Sequence, residues 1–237
     1  MVHAYTALEQ EMKICVLIPS YNEAKTIGSL VKNLKGKGLD TIVVDDGSFD
    51  RTAEVAQQAG AYVLRQEQNK GKGASLKQGF DYILTQDYQA VITMDGDGQH
   101  SPEDIYKFIE QANNPDLDIV AGNRMSQSKN MPPVRWITNK LMSFLISKIC
   151  RHTIRDSQCG FRLIKTRVLK KINLSSSNYE IESELAIKAS RKGCTIKSVP
   201  IQTIYAKQVS QINPIIDTLR FFRFILKLYL PFQPKKR

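Results

Sequence analysis

The chain of 237 residues lacks any long apolar run. Nothing in it reaches the ~18 consecutive apolar residues of a transmembrane helix. Residues 1–13 hold no apolar segment of signal-peptide length, so neither a membrane span nor a leader is expected. Cysteine is sparse. Cys15, Cys150, Cys159 and Cys194 are scattered without metal-ligand spacing, and Cys15 sits in an apolar run. That excludes a zinc module or a disulfide framework and suits reduced, buried thiols in the cytosol. The three histidines form no cluster. Internal repeats and low-complexity linkers are absent too, which favours one continuous domain over residues 12–206. A short tail, residues 1–11, precedes it, and a basic amphipathic helix and tail, residues 207–237, follow. Acidic charge is in deficit: 23 Asp and Glu against 34 Lys and Arg leave +11. Nucleic acid, an anionic membrane and phosphorylated substrates all fit such a balance.

What is present is an alternation of short apolar runs and helical patterns. Strands are expected over residues 13–18, 41–44, 61–64, 90–94 and 118–121. Helices are expected over residues 24–34, 52–58, 74–84 and from Pro102 to about Ala112, with Ser101 as N-cap. The strands have no polar alternation, so they read as a sheet covered on both faces, parallel because helices separate its strands. Farther on, residues 136–150 and 180–192 read as helices, and residues 161–172 as a strand passing into a helix. Residues 195–205 are strand-like with Pro200 at an edge or bulge, and residues 213–230 form a last helix.

Sheets of this kind bind ligands beyond the carboxyl ends of their strands. Three polar loops fall there: Pro19-Ser20-Tyr21-Asn22-Glu23, Asp45-Asp46-Gly47-Ser48 and Asp95-Gly96-Asp97. Asp-Gly-Asp by itself is an ordinary turn or the start of a calcium loop, and Asp and Asn also cap helices. Three such loops at one edge are costly to gather without a cation or polar ligand to offset their repulsion. Two aspartates one residue apart suit an oxygen-preferring ion, which can in turn hold a diphosphate.

The ordered set of motifs resembles a known family. Ile18-Pro19-Ser20-Tyr21-Asn22-Glu23, Val43-Val44-Asp45-Asp46-Gly47-Ser48, Asn69-Lys70-Gly71-Lys72-Gly73 and Asp95-Gly96-Asp97-Gly98-Gln99-His100 follow the order seen in family 2 glycosyltransferases. Gly122-Asn123-Arg124 and Asp156-Ser157-Gln158-Cys159-Gly160-Phe161-Arg162 look like the dolichol-phosphate mannose synthase and polyprenyl-phosphate glycosyltransferase branch. The resemblance implies an α/β GT-A (Rossmann-like) fold, a mostly parallel sheet flanked by helices, here with a C-terminal amphipathic helix. It implies a GDP- or UDP-sugar donor, a polyprenyl phosphate acceptor, an inverting outcome, and Mg2+ or Mn2+.

By the same resemblance Pro19, Tyr21, Glu23 and Asp46 line the nucleoside pocket, and Lys72, Asp95 and Gly96 belong to donor binding. Asp95, Asp97 and Gln99 take the metal positions. Arg124, Arg135 and Lys207 are phosphate contacts, with Arg135 expected on a loop after Pro132-Pro133 and solvated surface charge the alternative for both arginines. Asp97 and Asp156 count as catalytic, Asp156 on the acceptor side. Glu182 is the further candidate for a base, with Glu184 its rival and a solvated helix face the alternative for both. The chain departs from the pattern at Gly96 and Gly98, where bulkier residues are usual, and after Tyr205, which leaves sugar and nucleotide open.

The last helix carries Asn213, Asp217, Arg220, Arg223 and Lys227 on one stripe and apolar residues elsewhere. It either lies in an anionic membrane interface, packs on the domain, or joins two copies as a homo-oligomer. The first reading places the protein in the cytoplasm, peripheral on the cytoplasmic face of a membrane. Nucleic acid is not expected, since the basic residues lie along an apolar helix without a recognisable module. Transfer to a soluble hydroxyl acceptor, and a non-catalytic nucleotide-binding α/β module, are the alternatives.

Overall fold

The computed structural model describes residues 12–126, 131–204, 220–221 and 223–226. Seven strands form one sheet: β1 (Ile14–Ser20), β2 (Asp40–Asp45), β3 (Tyr62–Arg65), β4 (Ala90–Thr93), β5 (Ile119–Asn123), β6 (Arg162–Lys165) and β7 (Ile196–Pro200). Their order is β3-β2-β1-β4-β6-β5-β7. All pairings are parallel except those of β6, which runs antiparallel to both β4 and β5.

The alternation within β1 shows why its run is uninterrupted. Val16 and Ile18 pack on one face with Ile27, Leu30, Val31 and Phe108. Cys15 and Leu17 pack on the other with Leu76, Phe80, Val168 and Leu185. A strand between two helical layers needs apolar residues at every position. Helices α1 (Ile27–Gly36), α2 (Thr52–Gln58) and α4 (Tyr106–Ala112) contribute to the first layer, and α3 (Lys72–Leu84), α6 (Thr166–Leu169) and α7 (Ile181–Arg191) to the second. Four thiols are buried and reduced, Cys15, Cys159 and Cys194 among these layers and Cys150 in a separate cluster.

Helix α5 (Pro133–Cys150) begins three residues earlier than expected, because Pro133 occupies the first turn, where the missing N–H costs nothing. Arg135 therefore lies in a helical turn rather than on a loop. Strand β1 likewise continues through Pro19 to Ser20, with Pro19 opposite Val44. Of the last helix, the described residues are helical, and Phe221, 3% exposed, packs with Met142, Ile146 and Ile187 of α5 and α7. Arg220, Arg223 and Leu226 face outward. Lys207 and the remainder of that helix lie outside the described residues. Among the described residues no helix is long and apolar enough to cross a membrane.

Candidate active site at the carboxyl ends of the strands

The three polar loops meet as the parallel topology requires. The β1–α1 loop is laced to the β2–α2 loop by Asn22 N–H to Ser48 Oγ (2.9 Å), Glu23 N–H to Thr52 Oγ1 (2.7 Å) and Phe49 N–H to Asn22 Oδ1 (2.9 Å). Asn22 takes a left-handed backbone, φ 57°, a conformation that Asn tolerates better than most residues. Tyr21 is partly buried and meets Phe49 edge-on, with ring centroids 6.3 Å apart. Phe49 is 91% exposed. Phe49 lies outside the motifs singled out in the sequence, although an aromatic directly after Asp-Gly-Ser is a signal that marks it.

Asp46 is buried, and both of its oxygens are engaged. They accept the backbone N–H groups of Lys70 (2.8 Å) and Gly71 (2.9 Å), so Asp46 fastens the second loop to the start of α3. Asp45, wholly buried, accepts the Ser48 N–H at 3.3 Å and has the Arg65 guanidinium 3.3 Å away.

The Asp95-Gly96-Asp97 turn follows β4. Gly96 sits where a Cβ would come within 2.5 Å of Ser20 Oγ, so the turn can lie directly on β1 only without a side chain there. That Ser20 hydroxyl is buried and has no hydrogen-bond partner among the described residues. Thr26 Oγ1 donates to the Gly96 carbonyl at 2.7 Å, and Asp97 Oδ1 accepts the Gln99 N–H at 2.9 Å. Gln99 and Asp97 thus share one turn, and Glu23 stands close enough to feel the Asp97 carboxylate. Burial, then Asp97, push the Glu23 carboxyl up to about 7. Burial, then Asp95, raise Asp97 as well.

Asp95 behaves in the opposite way. Its burial would favour the neutral acid, but Lys72, 2.5 Å from Oδ1, holds it down to about 2. Lys72 is the first residue of α3 and also lies 2.7 Å from Glu182 Oε1 at the start of α7. Burial disfavours its charge, yet Asp95 and Glu182 outweigh that and keep the ammonium protonated. Gly160 passes immediately behind. A Cβ there would meet the Asp95 carboxylate at 2.6 Å and the Lys72 ammonium at 2.7 Å. Thr93 Oγ1, donating to the Gly160 carbonyl at 2.6 Å, fixes that approach. His100 is buried against Phe161, its Nε2 3.9 Å from Asp95 Oδ2, and burial lowers its proton affinity.

Arg124 and Asp156 come together with each other. The guanidinium donates to Asp156 Oδ2 through Nε (2.7 Å) and to Oδ1 through Nη2 (3.0 Å), and the Arg124 N–H adds a third bond at 3.2 Å. Both are buried. Burial works against the Asp156 charge, but Arg124 more than offsets it and holds the carboxyl below its usual value. The structure joins these two residues, expected as a phosphate contact and an acceptor-side carboxylate, in one ion pair. Arg162 is similarly committed. Its guanidinium donates to the carbonyls of Cys159 (2.8 Å), Glu182 (2.7 Å) and Ser157 (2.7 Å), tying the 157–160 loop to α7.

Glu182 and Glu184 are both buried, which removes the solvated-face reading for each. They do different things. Glu184 accepts from the Ser175 and Ser176 N–H groups, the Ser175 hydroxyl and Lys188 Nζ, and so caps the loop before α7. Glu182 faces Lys72, and its Oε2 has no hydrogen-bond partner among the described residues. Arg135 is partly exposed in the first turn of α5.

Among the described residues no three His, Cys, Asp or Glu side chains are gathered around one point. Asp95 and Asp97 supply oxygen only, as Mg2+ and Mn2+ prefer, and such ions are commonly held by one or two carboxylates together with substrate phosphates. Burial first, and neighbouring carboxylates second, raise Asp97 and Glu23, and a divalent cation would relieve the repulsive share, so the residues present fit one.

Known proteins give the arrangement a context. The glycosyl transferase family 2 profile matches residues 15–173. A UDP-N-acetylglucosamine–dolichyl-phosphate N-acetylglucosaminyltransferase of Methanococcus voltae is 31% identical over 238 residues, covering 90% of this chain and 95% of that protein. A dolichyl-phosphate hexose transferase of Haloferax volcanii is 28% identical over 92% of this chain and 94% of its own length. The crystal structure of glucosyl-3-phosphoglycerate synthase from Mycobacterium tuberculosis with Mn2+, UDP and phosphoglyceric acid superposes with a TM-score of 0.72 at 17% identity, over 91% of this chain and 78% of that one. The fold is that of the GT-A glycosyltransferases, and the chain belongs to glycosyl transferase family 2.

Proposed function

We propose that the protein moves a sugar from a GDP- or UDP-sugar to a polyprenyl phosphate at a membrane surface, with inversion and with Mg2+ or Mn2+. The observation that carries the reading is the acidic edge: Glu23, Asp95 and Asp97 gather beyond the carboxyl ends of β1 and β4, where such folds take their ligands, with burial and Asp97 raising Glu23 and burial and Asp95 raising Asp97. Asp95 and Asp97, with Gln99, would hold the ion, which supplies positive charge for the departing diphosphate. Pro19, Tyr21, Glu23 and Asp46 frame the nucleoside side, Asp46 through the Lys70–Gly71 loop that it fastens. Arg135 and Lys207 are the candidate phosphate contacts.

A lipid phosphate is already ionised near neutral pH and needs no strong base to attack. That suits a site in which Asp156 is closed off by Arg124 and Glu182 is committed to Lys72. In this reading the Arg124–Asp156 pair is scaffold, holding the end of β5 against the 156–162 segment. Relatives named for dolichyl phosphate support the acceptor class.

The membrane part of the reading draws on α5. Val134, Ile137, Leu141 and Phe144 follow one another at helical spacing and are exposed, Ile137 by 59% and Phe144 by 58%. Lys140 lies over the Trp136 ring and Lys148 over Phe144, so cationic heads flank the stripe. An apolar face with basic flanks suits an anionic bilayer surface.

The test is a screen of labelled GDP- and UDP-sugars with a short polyprenyl phosphate and Mn2+ or Mg2+, followed by solvent extraction. The expected result is metal-dependent label in the organic phase. Label transferred only to water-soluble hydroxyl acceptors would replace the acceptor class.

A further inference from the structure

We propose that Lys72 is a resident counter-cation that keeps the divalent site weak until a nucleoside diphosphate arrives, so that metal and donor bind interdependently. The inference rests on the metal and donor reading above and deepens it. It turns Lys72 from one more donor contact into a positioning residue for Asp95.

The geometry is specific. The ammonium sits 2.5 Å from Asp95 Oδ1 and 2.7 Å from Glu182 Oε1, bridging the starts of α3 and α7 and the end of β4. It is also walled in. The Tyr179 ring centroid is 5.8 Å away, and the backbone of Gly160 lies so close that a Cβ would come within 2.7 Å of the nitrogen. The side chain is 15% exposed, and its anchor Glu182 is buried with Oε2 unpartnered among the described residues. Unlike a surface lysine, it cannot swing away into water without stranding a buried carboxylate.

One of the two metal carboxylates therefore already has a fixed positive charge on one oxygen. A divalent ion entering at Asp95 and Asp97 meets that charge at short range in a partly buried site, where repulsion is poorly screened. A diphosphate changes the balance, because its negative oxygens offset both cations at once. By linkage, whatever the diphosphate adds to metal affinity the metal adds to diphosphate affinity. The arrangement favours loading of ion and donor together over capture of a bare ion.

The test is Mn2+ binding by electron paramagnetic resonance, with and without UDP or GDP, for the wild type, Lys72→Met and Lys72→Met/Glu182→Gln. Wild type should bind Mn2+ weakly alone and on the order of tenfold or more tightly with nucleotide. Lys72→Met should tighten binding of Mn2+ alone by roughly tenfold and shrink the nucleotide effect correspondingly. The double variant removes the carboxylate that Lys72→Met leaves buried and unpaired, so it preserves the measurement if the single variant folds poorly, which circular dichroism will show. It too should bind Mn2+ alone more tightly than wild type. Mn2+ affinities equal to wild type in folded variants would overturn the counter-cation role while leaving the donor site intact. Failure of all three proteins to bind Mn2+ under any condition would overturn the metal reading itself and this inference with it.

Discussion

Two groups of charge meet at the candidate site, one buried and one partly buried, and they are built on opposite principles. Arg124 and Asp156 neutralise each other through three hydrogen bonds and are both shut from solvent. Among the described residues Lys72 is the one cation in salt-bridge contact with Glu23, Asp95 or Asp97 other than the more distant His100, and Arg124 acts on Asp95 from farther off. Two of the three carboxyls are pushed towards protonation, Glu23 to about 7. A matched pair asks for no ligand. An unmatched acidic edge does, because folding has left repulsion that only a cation or a proton can relieve. On the proposed reading the contrast separates scaffold from working surface where residue type alone does not, since both groups lie in motifs that look functional.

The contrast can be broken by substitution. Asp156→Asn leaves Arg124 buried without its counter-charge and should lower stability by about 3–5 kcal/mol, measured by urea denaturation. An unchanged midpoint would remove the pair from the scaffold. Gly160→Ala forces a methyl against Asp95 and Lys72, an overpacking of about 1–3 kcal/mol. Because the strain falls on Asp95, one of the carboxylates proposed to hold the metal, sugar transfer should fall by more than the melting temperature suggests. Phe144→Asp, on the exposed stripe of α5, should leave the fold intact and reduce sedimentation with anionic vesicles; equal sedimentation would discard α5 as the membrane face.

The smallest effect concerns Glu23. Its folded value, about 7, lies above the usual 4.5, so the fold prefers the protonated acid. That contribution is whole below about pH 4.5 and is lost as pH rises through 7. Glu23→Gln should match wild type at pH 4.5 and exceed it at pH 8 in metal-free protein. After screening for a half-buried group the gain is about 1 kcal/mol, or about 2–4 °C, by calorimetry. A difference independent of pH would show that Glu23 is not strained by its neighbours.

Most of the fold was legible in the sequence. Uninterrupted apolar runs such as Val43–Val44 could only be strands covered on both sides, and the helices between them dictated parallel pairing. The direction of β6 was not legible. Arg162–Lys165 offers no local sign of strand direction, which is decided by where the chain re-enters the sheet, between β4 and β5. At the site, the acidic loops and their meeting point were readable from their positions after strands. Partnerships across long separations were not: Arg124 and Asp156 are 32 residues apart, and each alone resembles a ligand contact. Nor does anything local in Glu182 and Glu184 say that the first faces Lys72 and the second caps the Ser175–Ser176 loop.

The most direct test of the account is the turnover of Asp97→Asn measured at equal folded fraction. Removing one charge from an overcrowded acidic edge relieves repulsion, so the variant should melt no lower than wild type. Its metal-dependent transfer of sugar to polyprenyl phosphate should nonetheless fall by roughly 10²–10³-fold or more. Transfer at the wild-type rate would contradict the claim that the unmatched edge is the working surface of this glycosyltransferase.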